Sequence, residues 1–374
     1  MKSNFSIKYS YLGLKSFRMK RLLSILSVLL ALIIAYLLFY PTGLKLSAWT
    51  PPKAPELKGE YEANDLLTKM EIIYPGQCNQ CEDIAIDSSG NIYGGEINGN
   101  IKVFKKGEES GKILANTGGR PLGLHFDKNE DLIIADADKG LLSLSKEGEL
   151  RTLANKIDNY SFKFADDLEI DSSGIIYFSD ASNRFGFKDN NNNIIEHQPS
   201  GSFYQFNPKN GKVTLLIDSM YFSNGVAIDH EEEFIFINET MAYQFRKYWL
   251  TGNKKGSWEI AKDNLPGFPD GISRGENGIF WLTFASPRIK SFDDLLPSPF
   301  LRNVIARLPS WLQPSPKHYG IILGLNDNAE VIYNFQDPTG KFGEITSVQQ
   351  FGNKLYLGSL YENGIGVLDL DHIR

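Results

Sequence analysis

Glu82, Asp166, Asn224 and Asp270 share one address: each stands five residues before a turn residue, at positions 87, 171, 229 and 275. The same count back from two further turns, at 127 and 350, reaches Leu122 and Ile345. Two aspartates, a glutamate and an asparagine are all oxygen donors, the set that a hard cation such as Ca²⁺ takes. Brought together without a cation, three carboxylates repel one another strongly. Asp or Asn before a hairpin is also ordinary turn chemistry. That explains any one of the four, but not a shared offset in four copies with an apolar residue in the other two. One residue further along, Asp83 and Asp167 offer a second cation position or a structural role.

A shared offset places side chains together only if the elements carrying them repeat. One unit recurs, an apolar alternation, an Asp-centred turn and a second strand, in IAIDSSGNIYGG (84–95), LHFDKNEDLIIAD (124–136), LEIDSSGIIYFSD (168–180), VAIDHEEEFIFINE (226–239), ISRGENGIFWLTF (272–284) and VQQFGNKLYLGS (348–359). Short runs rich in Ile, Val, Phe and Tyr between Gly, Asn and Asp are an all-β signature. Turn-to-turn spacings of 40, 44, 58, 46 and 75 residues have the size of propeller blades. Strand pairs between the copies, such as 201–218, supply outer strands. The expected fold is therefore all-β, a six-bladed β-propeller over 56–374, with an insertion at 286–320 before the last blade. Innermost strands line the central channel, so the residue just before each inner hairpin lies at one mouth of it.

The chain of 374 residues has 39 Lys plus Arg and 45 Asp plus Glu, but the first 21 residues hold six basic side chains and no acid. The remainder of the chain is strongly acidic, which argues against nucleic acid as a partner and suits the attraction of cations. From Leu22 to Tyr40 no charge occurs, about the length needed to cross a hydrocarbon core as helix. The basic tail, 1–21, places the N-terminus in the cytoplasm and everything after Tyr40 outside it. The apolar run is long for a signal peptide, and Tyr36 to Pro41 holds no small-x-small cleavage site. An uncleaved anchor at 22–40 is expected, then a stiff stalk at 41–55 with prolines at 41, 51, 52 and 55. Cys78 and Cys81, the only cysteines, are too few for structural zinc and lack the βαβ setting of a redox motif, so a local disulfide is expected.

FADDLEIDSSGIIYFSDAS (164–182), FSNGVAID (222–229), LPGFPDGI (265–272) and KLYLGSLYENGIGVLDL (354–370) resemble the strictosidine synthase-like family and its relatives around adipocyte plasma membrane-associated protein. More distantly the chain is similar to paraoxonases, gluconolactonases and diisopropyl fluorophosphatase. The resemblance implies a six-bladed propeller with a catalytic Ca²⁺ in the channel, held by Glu, Asn, Asn and Asp. It carries that role to Glu82, Asn224 and Asp270. Asp166 departs from it, standing where these proteins usually have Asn, a change that adds charge and should tighten Ca²⁺ while weakening its Lewis acidity. Strictosidine synthase uses a glutamate near the last blade, where EITSVQQ (344–350) aligns Thr346, with Glu344 two residues away. Alkaloid synthesis is thus not expected. Leu122 stands at the channel mouth where paraoxonases use a histidine pair in that blade, leaving His125 a strand residue.

The resemblance favours a membrane-anchored hydrolase of small esters or lactones, with Asp270 touching both Ca²⁺ and substrate. A non-catalytic binding or adhesion scaffold with a structural Ca²⁺ is the alternative, since propellers host both. Gly271-Ile-Ser-Arg-Gly275 matches a nucleophile elbow, but a hairpin comes after it rather than a helix, which makes Ser273 a strand residue. The five histidines show no ligand spacing, and Asn159 and Asn238 open glycosylation sequons. Residues 300–312 have the pattern of a short amphipathic helix, with Leu301, Val304, Ile305, Leu308 and Leu312 on one side. It suits packing on the propeller, a lid, or a surface lying on a membrane.

Overall fold

The turns explain the blades. In the computed structural model, which describes residues 4–373 and side chains from Arg18 onward, Asp87 Oδ1 accepts from the backbone N–H groups of Ser89 and Asn91. Asp127, Asp171 and Asp229 close their own turns in the same way. Each carboxylate thus satisfies donors that the reversing chain takes out of the ladder. The turn also demands a left-handed residue, which is Gly90 or Gly174 in two copies and Glu130 or Glu232 in two others.

Six four-stranded antiparallel sheets result, blades I to VI in chain order. Their inner strands are Ile84–Ile86, Pro121–Phe126, Ala165–Ile170, Ser223–Ile228, Gly267–Arg274 and Ile345–Phe351. The outermost strand of blade VI comes from the other end of the ring: Glu71–Ile73 pairs antiparallel with Ile365–Asp369. This joins the two ends of the propeller and leaves no gap between first and last blades. Apolar clusters fill the spaces between blades, such as Phe236, Phe280 and Phe284 between IV and V.

Before the ring, one helix covers Asn4–Phe39. Its segment Arg18–Phe39 contains an 18-residue window with a mean hydropathy of 2.9, none of it buried, and is long and apolar enough to cross a membrane. The residues after it run extended, as their prolines require, and are hydrogen bonded to the ring rather than standing clear of it. Cys78 and Cys81 form the expected disulfide, with Cα atoms 5.5 Å apart, buried against Gly94, where a Cβ would meet either sulfur within 3 Å.

The insertion is less helical than its pattern suggests. Helix Pro299–Ile305 starts at Ser298, whose Oγ accepts from Leu301 N, and only a single turn, Ser310–Leu312, comes after Pro309. Arg302, not a leucine, is its most buried side chain, while Leu301 and Leu312 are exposed.

Candidate functional site

Every inner strand after blade I breaks register: between Pro121 and Gly123, Ala165 and Leu168, Ser223 and Val226, Pro269 and Ile272, and Ile345 and Ser347, with a second shift between Phe268 and Pro269. Such a bulge re-aims the residues it contains: Leu122 and Thr346 stand alone in two of the breaks, and Asp166–Asp167, Asn224–Gly225 and Asp270–Gly271 in the other three. The sixth position is therefore Thr346 and not Ile345, which is buried in an apolar cluster. The last hairpin turns through Gly352 and Asn353, later than a turn at 350 implies. Thr346 Oγ1 donates to the carbonyl of Glu82 at 2.7 Å and thereby joins blade VI to blade I.

Glu82, Asp166, Asn224 and Asp270 line one cavity of about 160 Å³. Its remaining wall is mostly apolar, including Leu122, Phe164, Phe222, Met241, Phe268 and Phe292, and Glu344 stands at its side. Asn224 Nδ2 donates to Asp270 Oδ1 at 3.0 Å and to Thr240 Oγ1 at 3.2 Å. Both amide protons are thus used, which leaves Asn224 Oδ1 as a free acceptor. The acids carry the marks of crowding. Burial first, then the charges of Asp270, Asp166 and Asp83, push Glu82 well above the usual carboxylate range. Burial, then Asp270 and Asp167, does the same to Asp166. Asp270 is pushed up to about 7, again mainly by burial, with the Asn224 hydrogen bond opposing and the Glu344 charge reinforcing.

One cation of the chain opposes this repulsion, and the sequence pattern missed it. Arg120, buried just before the blade II inner strand, lowers both Glu82 and Asp166. Its guanidinium donates to the carbonyls of Gly95 and Gln80 at 3.2 and 2.9 Å, while its Nε has no partner. An arginine among converging acids was the available signal. Even so, among the described residues no three His, Cys, Asp or Glu side chains stand together as a preformed metal-ligand group. The four predicted oxygen donors share a wall rather than a point.

Other predicted residues fall elsewhere. Asp83 Oδ2 accepts from Leu124 N at 2.8 Å, and Asp167 Oδ2 from Val226 N at 2.7 Å, so each acid staples its blade to the next. They line a second cavity of about 90 Å³, which Glu82 and Asn224 also reach. His125 lies there on its strand, 3.2 Å from Glu169. Ser273 Oγ is hydrogen bonded to the carbonyl of Val348, an inter-blade contact with no elbow around it. Asn238 is fully buried and donates to the carbonyl of Asp270, so this sequon is closed to glycosylation in the folded chain, whereas Asn159 is exposed.

Family models for strictosidine synthase and for the strictosidine synthase-like N-terminal region match residues 166–253 and 59–104. Protein STRICTOSIDINE SYNTHASE-LIKE 6 of Arabidopsis thaliana is 32% identical over 311 residues, covering 81% of this chain and 82% of the relative. The chain belongs to the strictosidine synthase-like family. Adipocyte plasma membrane-associated protein of Salmo salar is 27% identical over 372 residues, covering 92% of this chain and 88% of its own. The propeller of this strictosidine synthase-like protein also superposes on a gluconolactonase from Xanthomonas campestris (TM-score 0.59, 12% identity, 87% of this chain and 98% of that one). A calcium-binding regucalcin from Agrobacterium tumefaciens gives a TM-score of 0.58 at 14% identity, covering 79% and 92%. At those identities the likeness concerns fold alone.

Proposed function

We propose that the protein is a membrane-anchored, calcium-dependent hydrolase of esters or lactones, with its N-terminus in the cytoplasm and its propeller outside. The observation that carries this reading is Asp270: a buried carboxyl in a mostly apolar cavity, hydrogen bonded to Asn224 and sharing the wall with Glu82, Asp166 and a free amide oxygen. Glu82, Asp166, Asn224 and Asp270 would hold the cation, since oxygen donors with surplus negative charge are what Ca²⁺ requires. When bound there, Ca²⁺ supplies Lewis-acid polarisation of a carbonyl oxygen. Burial and the Glu344 charge raise Asp270 while no cation is bound; Ca²⁺ beside it would favour the ionised carboxylate, the form that accepts a proton or orients an attacking water. Asn224 fixes the orientation of that carboxyl through its amide. The apolar wall admits the hydrocarbon part of an ester or lactone and keeps water out except at the reacting end. Calcium binding and gluconolactone chemistry in the two structural neighbours are compatible with this reading.

A second reading, a non-catalytic binding propeller with a structural cation, draws on the wall-like rather than point-like placement of the acids. The detergent-solubilised full chain, assayed on aryl esters and lactones with Ca²⁺ and after chelation, separates the two. The hydrolase reading expects chelation-sensitive turnover that falls by about 100-fold or more in Asp270→Asn. Thermal stabilisation by Ca²⁺ without turnover supports the scaffold. A chain indifferent to Ca²⁺ in both assays overturns the site.

A further inference from the structure

The exit of the apolar helix, the insertion and the cavity rim form one packed unit. Arg307 donates to the carbonyls of Leu37 and Tyr40, at 2.7 and 2.5 Å, at the C-terminal end of that helix. Thr42 Oγ1 donates to Asn303 at 2.7 Å, and the buried guanidinium of Arg302 bonds the carbonyl of Ser47. Trp49 then packs against His197, ring centroids 4.4 Å apart and planes tilted by 31°, and against the apolar cluster that includes Phe292 and Leu296. The insertion is therefore fixed at the level where the helix ends.

That level is set by length. At about 1.5 Å per residue the 19 uncharged residues 22–40 span roughly 28 Å as helix, against a hydrocarbon core of about 30 Å. A bilayer holding this helix brings its surface to Tyr40, and hence to Arg307. The insertion that carries Arg307 exposes Phe300 at 61% and Trp311 at 78%, with Leu301 and Leu312 also exposed, and Tyr36, Phe39 and Tyr40 are exposed at the helix end. Aromatic rings at the ends of a spanning helix are the usual occupants of the headgroup region. Pro314, Ser315 and Pro316, two to five residues past Trp311 and Leu312, line the cavity that holds Asp270.

We propose that Phe300, Leu301, Trp311 and Leu312 rest in the outer headgroup layer of the bilayer, so that the cavity mouth opens at the lipid surface and takes an amphiphilic ligand that partitions into it. This rests on the membrane-anchor reading, and it commits to lipid rather than a second copy because the helix end fixes where the patch lies. The full chain is reconstituted into phosphatidylcholine vesicles, with and without dibrominated acyl chains, beside Trp311→Tyr, a change at an exposed ring. The expected result is a loss of tryptophan emission in brominated lipid that Trp311→Tyr largely abolishes, the other four tryptophans lying in the ring or in the extended segment 41–55. A chain that floats with the vesicles but shows equal quenching in both forms overturns the docked face while keeping the anchor. Blue-shifted Trp311 emission that brominated lipid leaves untouched points to a second copy and also overturns it. A chain that fails to float overturns anchor and docking together.

Discussion

Asp83 and Asp167 stand one residue beyond Glu82 and Asp166 on the same inner strands, yet the two pairs have opposite surroundings. Each member of the first pair accepts two backbone N–H groups, one from its own strand and one from the neighbouring blade. Glu82 and Asp166 accept no side-chain hydrogen bond among the described residues, and face other acids across a cavity with only Arg120 to relieve them. One pair is built into the ring; the other is left with unspent acceptor capacity. Crowded acids that satisfy nothing within the fold are kept for a ligand, and acids that close backbone bonds are kept for the fold.

Asp83→Ala or Asp167→Ala tests this most severely, since either leaves two buried donors without acceptors. We expect a loss of about 2–4 kcal/mol in stability by chemical unfolding. An equal loss from Asp166→Ala would erase the distinction.

A pH series probes one acid built into the ring, Asp83, and one that lines the cavity, Asp270. Asp83 and Asp270 are each pushed up to about 7, so the fold disfavours their ionised forms. Because these values exceed that of an unfolded aspartate, the stability they permit is complete below about pH 4 and is lost as pH rises through about 7. In chelator the melting temperature should therefore fall between pH 5 and 8, and added Ca²⁺ should flatten the fall. A rise across that window would contradict the crowding of the acids.

Asp166→Asn should have the smallest effect on stability and sharpen the contrast most. Removing one of the crowded charges is expected to stabilise the chelated protein by about 1 kcal/mol and to reduce the extra stabilisation that Ca²⁺ gives. Paired thermal scans with and without Ca²⁺ measure both.

Much of this was readable from residue types. The Asp-centred turn names its own hydrogen bonds, so five of the six inner hairpins are located by Asp87, Asp127, Asp171, Asp229 and Gly275, and the five-residue offset finds the bulge in four of them and Glu82 in the first. Blade VI slipped by one because its hairpin turns at Gly352 and Asn353, later than position 350. The closing strand Glu71–Ile73 is three residues long and pairs with a segment far along the chain, which local periodicity does not register. Arg120 was missed because its role depends on acids from two other blades. The prolines of 41–55 dictate an extended path, but the contacts of Thr42, Ser47 and Trp49 are tertiary and leave no local pattern.

The pairing of Glu71–Ile73 with Ile365–Asp369 sets an order of assembly. The first strand to emerge has no partner until nearly the last residues have been added, so the ring cannot be sealed while the chain is still being made. Closing so long a loop is entropically slow, and until it happens blade VI presents an unpaired edge. Synthesis can complete five blades, but the sixth, and with it the full circle around the acids, waits for the C-terminus.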